Sequence, residues 1–114
     1  KNIFIIDYKT SKRPETEREL KKNLQLGIYA IFVISEGIEF EEKRIRDFPK
    51  KLSMLFLRET KPEVSVVFTT DDIDKFDKLI REVSENIQKE EFEPCKGRYC
   101  DWCDYKELIC PAFG

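Results

Sequence analysis

The sequence predicts an α/β fold: a mixed sheet flanked by helices, followed by a cysteine-rich tail. Three observations predict it. Ile3-Phe4-Ile5-Ile6 is a continuous β-branched and aromatic run, which reads as a strand. Two stretches, 17–34 and 71–90, carry apolar residues at helical spacing, and two strand-like runs lie between them. All four cysteines fall in the last twenty residues.

The first run is apolar on both faces, so it is expected to sit centrally in the sheet, buried on both sides. It ends in Asp7-Tyr8-Lys9-Thr10, and the polar, Pro-containing segment 10–16 reads as a loop. Residues 17–34 are expected to form one helix. Leu20, Leu24, Ile28 and Ile31 make its core stripe, and Arg18, Lys22, Gln25 and Tyr29 make an opposing polar, basic stripe. Gly37 is expected to end it. Residues 38–51 are charged and weakly patterned, and no element is assigned to them. Leu52–Arg58 and Val64–Thr69 read as a hairpin. Thr70 or Asp71 then caps a helix with acids in its first turn and a core stripe of Ile73, Phe76, Ile80, Val83 and Ile87, Leu79 beside it. The helix fades at Glu90–Phe92, and Pro94 closes it. Residues 1–92 are expected to form the core and 93–114 a separate Cys-rich tail.

Composition narrows the chemistry. The 114 residues are 40% hydrophobic and 39% charged, with a net charge of −2. No global basic field draws the chain onto nucleic acid, so contact there must be local. Histidine is absent, which removes His-dependent nucleophilic catalysis and His-ligated zinc. No glycine-rich phosphate loop is present. No apolar run is long enough to span a membrane, and no signal peptide is visible, so no membrane partner is expected and the reading is cytoplasmic.

Asp7 and Lys9 stand two apart on a strand, so both side chains leave one face. The carboxylate can bind a hard divalent cation, and the ammonium can orient a water or offset charge on a pentacovalent phosphate. The spacing is common: the chain holds five acid-x-Lys pairs, against roughly three expected by chance. This pair alone ends a fully apolar strand. A plain strand-end ion pair is the alternative. Gln25 and Tyr29, at i and i+4, project together from the following helix.

Ile5-Ile6-Asp7-Tyr8-Lys9-Thr10-Ser11, followed by Gln25-Leu26-Gly27-Ile28-Tyr29-Ala30, resembles the RecB-type branch of the PD-(D/E)XK nuclease superfamily. There an Asp-Tyr-Lys-Thr/Ser strand end precedes a helix bearing Gln-x-x-x-Tyr. The hairpin, the long helix and Phe92-Glu93-Pro94 before clustered cysteines are similar to that branch too. The resemblance implies a restriction-endonuclease-like core that hydrolyses DNA as a metal-dependent exonuclease in repair or recombination, beside a helicase. It implies that Asp7 and the Tyr8 carbonyl ligate Mg²⁺ or Mn²⁺, that Lys9 assists the attacking water or stabilises the transition state, and that Gln25 and Tyr29 support the site and touch the DNA backbone. The helical wheel adds Arg18 and Lys22 as phosphate contacts on the same stripe. The family places a further acid on a preceding strand. The chain opens at Lys1 inside an apolar run, so it reads as an N-terminally truncated fragment with little activity by itself. A catalytically inactive DNA-binding or interaction module is the other reading.

Cys95, Cys100, Cys103 and Cys110 follow C-x4-C-x2-C-x6-C, a spacing that can close around one zinc ion or one iron–sulfur cluster. Two disulfides stapling the tail to itself are the bland alternative. The resemblance favours [4Fe–4S], with Zn²⁺ the second choice and Cys95 an extra local candidate for the fourth ligand. Tyr99, Trp102 and Tyr105 are expected to pack round this site, and base stacking is their second reading.

Overall fold

The computed structural model describes residues 2–113. Five strands and three α-helices follow in the order β1 (Phe4–Lys9), α1 (Glu17–Leu20), α2 (Leu24–Ser35), β2 (Ile38–Phe40), β3 (Lys43–Ile45), β4 (Lys51–Phe56), β5 (Glu63–Val66) and α3 (Thr70–Gln88). A short 3-10 helix, Arg98–Trp102, lies in the tail. The chain divides into two compact units, one through Ile80 and one from Arg81.

The sheet of the first unit is mixed, in the order β1-β4-β5, with β1 parallel and β5 antiparallel to β4. The parallel pairing of β1 with β4 demands a long crossover, which α1, α2 and the β2–β3 hairpin supply. Hydrogen bonds at both ends bracket β1: Lys50 N donates to Ile3 O at 2.8 Å and Leu57 N to Lys9 O at 3.0 Å. The hairpin read into residues 52–69 is β4 and β5.

β1 differs from its expected place. Ile5, Asp7 and Lys9 are half-buried, while Phe4, Ile6 and Tyr8 are exposed, and among the described residues no strand pairs with its second edge. Only the Ile5 face meets the core, which is built from Leu20, Leu26, Ala30, Leu52, Met54, Phe56, Val66, Phe68 and Phe76. An apolar run on both faces therefore does not imply cover on both.

The helix expected over 17–34 is two helices. Thr16 caps α1 in a capping box with Glu19. Residues 21–23 break the path, and Asn23 restarts it, its side chain accepting from Leu26 N at 3.1 Å. The break resets the helical phase. Leu26, Gly27, Ala30 and Val33 are buried, and Leu24 and Ile28 point outward, so the expected stripe holds only at Leu20 and in part at Ile31. Lys21 anchors the break: its ammonium donates to Asp72 Oδ2 at 2.8 Å and to the Val67 carbonyl.

Gly27 sits where α2 meets α3. A Cβ there would lie 2.5 Å from Cγ of the buried Phe76 ring, so only glycine permits this approach. Gly37 ends α2 as expected, with φ +79°. The unassigned stretch that follows holds the β2–β3 hairpin, turned by Glu41 and Glu42 at φ 48° and 62°. Arg44 and Arg46 on that hairpin both donate to the Glu36 carbonyl at the end of α2.

The cap of α3 is Thr69, one residue before the expected pair. Its hydroxyl accepts from Asp72 N, and Asp72 reaches back to Thr69 N at 2.8 Å. The helix ends at Gln88, with Glu90 at φ 56° and Glu91 N donating to Asn86 O. Phe76 is buried and Ile73 packs on the core, but Leu79, Val83 and Ile87 are exposed. In the second unit no described residue is buried. Among the described residues no helix is long and apolar enough to cross a membrane.

Candidate active site

Alternation along β1 places Asp7 and Lys9 on the face toward the core, at its half-buried margin, with side chains 18% and 28% exposed. The Lys9 ammonium stands 3.1 Å from Asp7 Oδ2 and donates to Gln25 Oε1 at 2.7 Å. Gln25 Nε2 donates in turn to the Tyr29 hydroxyl at 3.0 Å. The four residues expected to act together thus form one unbroken chain from β1 to α2. This convergence depends on the Asn23 restart, because Gln25 is the second residue of α2 and its direction follows the cap.

Asp7 Oδ2 is buried and has no hydrogen-bond donor; the Lys9 ammonium is close but off the hydrogen-bond direction. The Lys9 ammonium offsets the charge of this oxygen, whose lone pairs accept no hydrogen bond and could meet a further cation. The Tyr8 carbonyl is placed to help. Ile3 and Lys9 spend their carbonyls on the β4 side, so strand alternation turns the Tyr8 carbonyl to the opposite edge. The donor set is all oxygen, which suits Mg²⁺ or Mn²⁺. Among the described residues no group of three or more His, Cys, Asp or Glu side chains could hold a metal ion.

Arg18 and Lys22 do not join the chain as one stripe with Gln25 and Tyr29, since the break separates their helical phases. Arg18, on α1, lines a cavity of about 450 Å³ with Lys21, Lys51 and Ser65. Lys51 lies opposite Phe4 in the register and Lys9 opposite Phe56, so the cavity is level with the other end of β1, roughly 16 Å along the strand direction. Lys22 is exposed in the break.

The four cysteines are free thiols and are not gathered: Cys95 and Cys103 are exposed, Cys100 and Cys110 half-buried. The expected disposition for a cluster or zinc ion is not formed. Structural metal sites are often assembled only with the metal bound. Cys100 Sγ accepts from Gly97 N at 3.2 Å. Tyr99, Trp102 and Tyr105 do not pack round the cysteines but stand 68%, 77% and 62% exposed.

Two polar clusters outside the site were not anticipated from sequence. One is the Lys21–Asp72 contact, which holds the Asp72 carboxyl at a pKa of about 2, by the Lys21 hydrogen bond and then that of Thr69 N. The other lies on the opposite sheet face, where Lys51, Ser53 and Ser65 all donate to Glu63 Oε1 at 2.7–3.0 Å and lower its pKa to about 2. The Asn23 restart had a legible signal, an amide side chain just before an apolar run.

A mixed α/β sheet that ends one strand in a carboxylate–ammonium pair, met by an amide and a phenol from the next helix, fits a nuclease-like α/β class. The family model of the PD-(D/E)XK nuclease superfamily matches residues 1–111, and the chain belongs to that superfamily. Nothing among the curated proteins or the solved structures matches it significantly.

Proposed function

We propose that the chain is part of a metal-dependent DNA nuclease of the RecB-type branch. The observation that carries this reading is the continuous Asp7–Lys9–Gln25–Tyr29 contact chain, with a buried, undonated Asp7 oxygen at its end. Superfamily membership supports phosphodiester hydrolysis, and the Asp-Tyr-Lys and Gln-x-x-x-Tyr motifs support the branch. With the branch come an exonuclease role in repair or recombination and work beside a helicase.

Asp7 Oδ2 and the Tyr8 carbonyl would hold Mg²⁺ or Mn²⁺, which when bound supplies Lewis-acid neutralisation of the scissile phosphate. Lys9 does the rest of the electrostatic work. Its ammonium has three donors, of which Gln25 takes one and Asp7 attracts another, leaving a third for the attacking water or a phosphoryl oxygen. Gln25 fixes the ammonium's direction. Tyr29 in turn fixes Gln25: its oxygen accepts from the amide, so its own hydrogen is turned toward a backbone phosphate.

A single carboxylate holds Mg²⁺ weakly. That observation favours the second reading, an inactive module that binds DNA without cutting it. Incubating the 114-residue chain with linear DNA and Mg²⁺ or Mn²⁺, beside Asp7→Asn, separates the two. Slow, metal-dependent digestion that Asp7→Asn abolishes supports the nuclease. Binding with no digestion at high Mn²⁺ supports the module, and digestion that survives Asp7→Asn removes Asp7 from the chemistry.

A further inference from the structure

We propose that Glu15 and Asn23 are a positioning pair that holds Gln25 in reach of Lys9. The consequence for rate rests on the nuclease reading; the consequence for geometry does not. Asn23 spends each of its polar groups at the start of α2. Its backbone N donates to Leu20 O at 3.1 Å, and its carbonyl accepts from Gly27 N at 3.0 Å. Its side-chain oxygen accepts from Leu26 N at 3.1 Å, while Nδ2 donates to Glu15 Oε2 at 3.2 Å. These two contacts admit one orientation of the amide, oxygen to the helix and nitrogen to the carboxylate. Capping alone does not call for asparagine. Aspartate caps a helix about as well, but it has no donor to offer Glu15.

The pair acts on the segment that separates the two halves of the site. Lys9 and Gln25 are 16 positions apart in the chain. Glu15 stands in the loop that leaves β1 after Lys9, and Asn23 stands two residues before Gln25. Glu15 and Asn23 are eight positions apart, so their bond closes half of that path before Lys9 meets Gln25. Glu15 and Asn23 are half-buried, whereas the Lys9–Gln25 bond is exposed. The more sheltered bond therefore holds the more accessible one in register. Gln25 is the second residue of α2, so the direction of its side chain follows the residue that starts the helix.

The test exchanges donor and acceptor. Asn23→Asp keeps the capping oxygen, removes the donor and sets two carboxylates against each other. Adding Glu15→Gln reverses the bond, since the glutamine amide now donates to the aspartate. Two readouts are followed in the full chain: the side-chain amide signal of Gln25 by ¹⁵N NMR without metal, and the Mn²⁺-supported cleavage of linear DNA. Asn23→Asp is expected to displace the Gln25 signal and to lower kcat about tenfold with KM nearly unchanged. The double variant is expected to restore both. An undisturbed Gln25 signal in Asn23→Asp overturns the proposal, as does a double variant no closer to the parent than Asn23→Asp. If the signal moves and returns as expected while the parent cuts no DNA, the pair stands and the nuclease reading falls. Circular dichroism of Asn23→Asp checks the helices. If they are lost, Glu15→Ala replaces it, because it removes the acceptor and leaves the cap whole; its Gln25 signal is expected to shift, and an unshifted one overturns the proposal.

Discussion

Lys9 donates to the Gln25 side-chain oxygen at 2.7 Å, joining the end of β1 to the first turn of α2. The bond ties the ammonium to a neutral acceptor, so its direction is set without a second charge. Gln25→Ala removes that acceptor and leaves Asp7 alone to draw the ammonium inward. Under the nuclease reading, the Mn²⁺-supported rate falls by about tenfold to a hundredfold, since small misplacements of a reacting group cost that much. Gln25→Glu restores an acceptor for Lys9 and recovers part of the loss. A rate unchanged in Gln25→Ala shows that Lys9 needs no such guide.

Gly27→Ala places a methyl group 2.5 Å from Cγ of Phe76. Overpacking costs about 1–3 kcal/mol, more than the roughly 1 kcal/mol a helix gains when alanine replaces glycine. Urea unfolding of Gly27→Ala is expected at a lower midpoint. The double variant with Phe76→Leu recovers part of the difference, because the flat ring is what the methyl strikes. A midpoint equal to or above the parent's contradicts the close approach.

Glu63 and Asp72 both have folded pKa values of about 2, below their ordinary 4.5 and 3.8. A depressed carboxylate stabilises the fold above its unfolded pKa and loses that contribution as pH falls toward its folded value. Thermal stability is therefore expected to change little through these groups above about pH 5 and to decline between about pH 4.5 and 2. Glu63→Gln and Asp72→Asn each start lower at neutral pH and show a shallower acid decline. An acid decline as steep in both variants assigns it to other carboxylates.

The cysteines are expected to behave as an open ligand set. In the metal-free chain, Cys95 and Cys103 react first with a thiol reagent, and Cys100 and Cys110 more slowly, following their exposure. Zinc, or iron and sulfide supplied anaerobically, is expected to protect all four, with visible absorbance only for the cluster. Thiols that stay fully reactive in both are not ligands.

Much of the first unit was legible because its signals are local. Asp7 and Lys9 share a face by strand alternation alone, and β4 and β5 are bounded by a turn that names itself. The error in α2 has one cause: a three-residue break resets the phase, and a periodic reading carried through it puts Leu24 and Ile28 in the core and Arg18 on the wrong stripe. The error in β1 is of another kind. Ile3–Ile6 tells how apolar the strand is, not what covers it. Val83 and Ile87 repeat that lesson on α3, where spacing describes a stripe and burial requires a neighbour. The cysteines show the limit, since their spacing permits a ligand set but does not bring the four together.

Apolar side chains on both faces of β1 make its pairing nearly indifferent to a slip of one position, as far as hydrophobicity goes. Such a slip exchanges the rows, turning Ile6 and Tyr8 toward the helices and carrying the carboxylate and ammonium to the outer surface. The ladder with β4, closed at its two ends by the main-chain bonds at Ile3 and Lys9, holds the strand against it. Alignment of this one strand therefore decides whether the Asp7–Lys9–Gln25–Tyr29 chain forms at all, even in a chain that still melts like the parent.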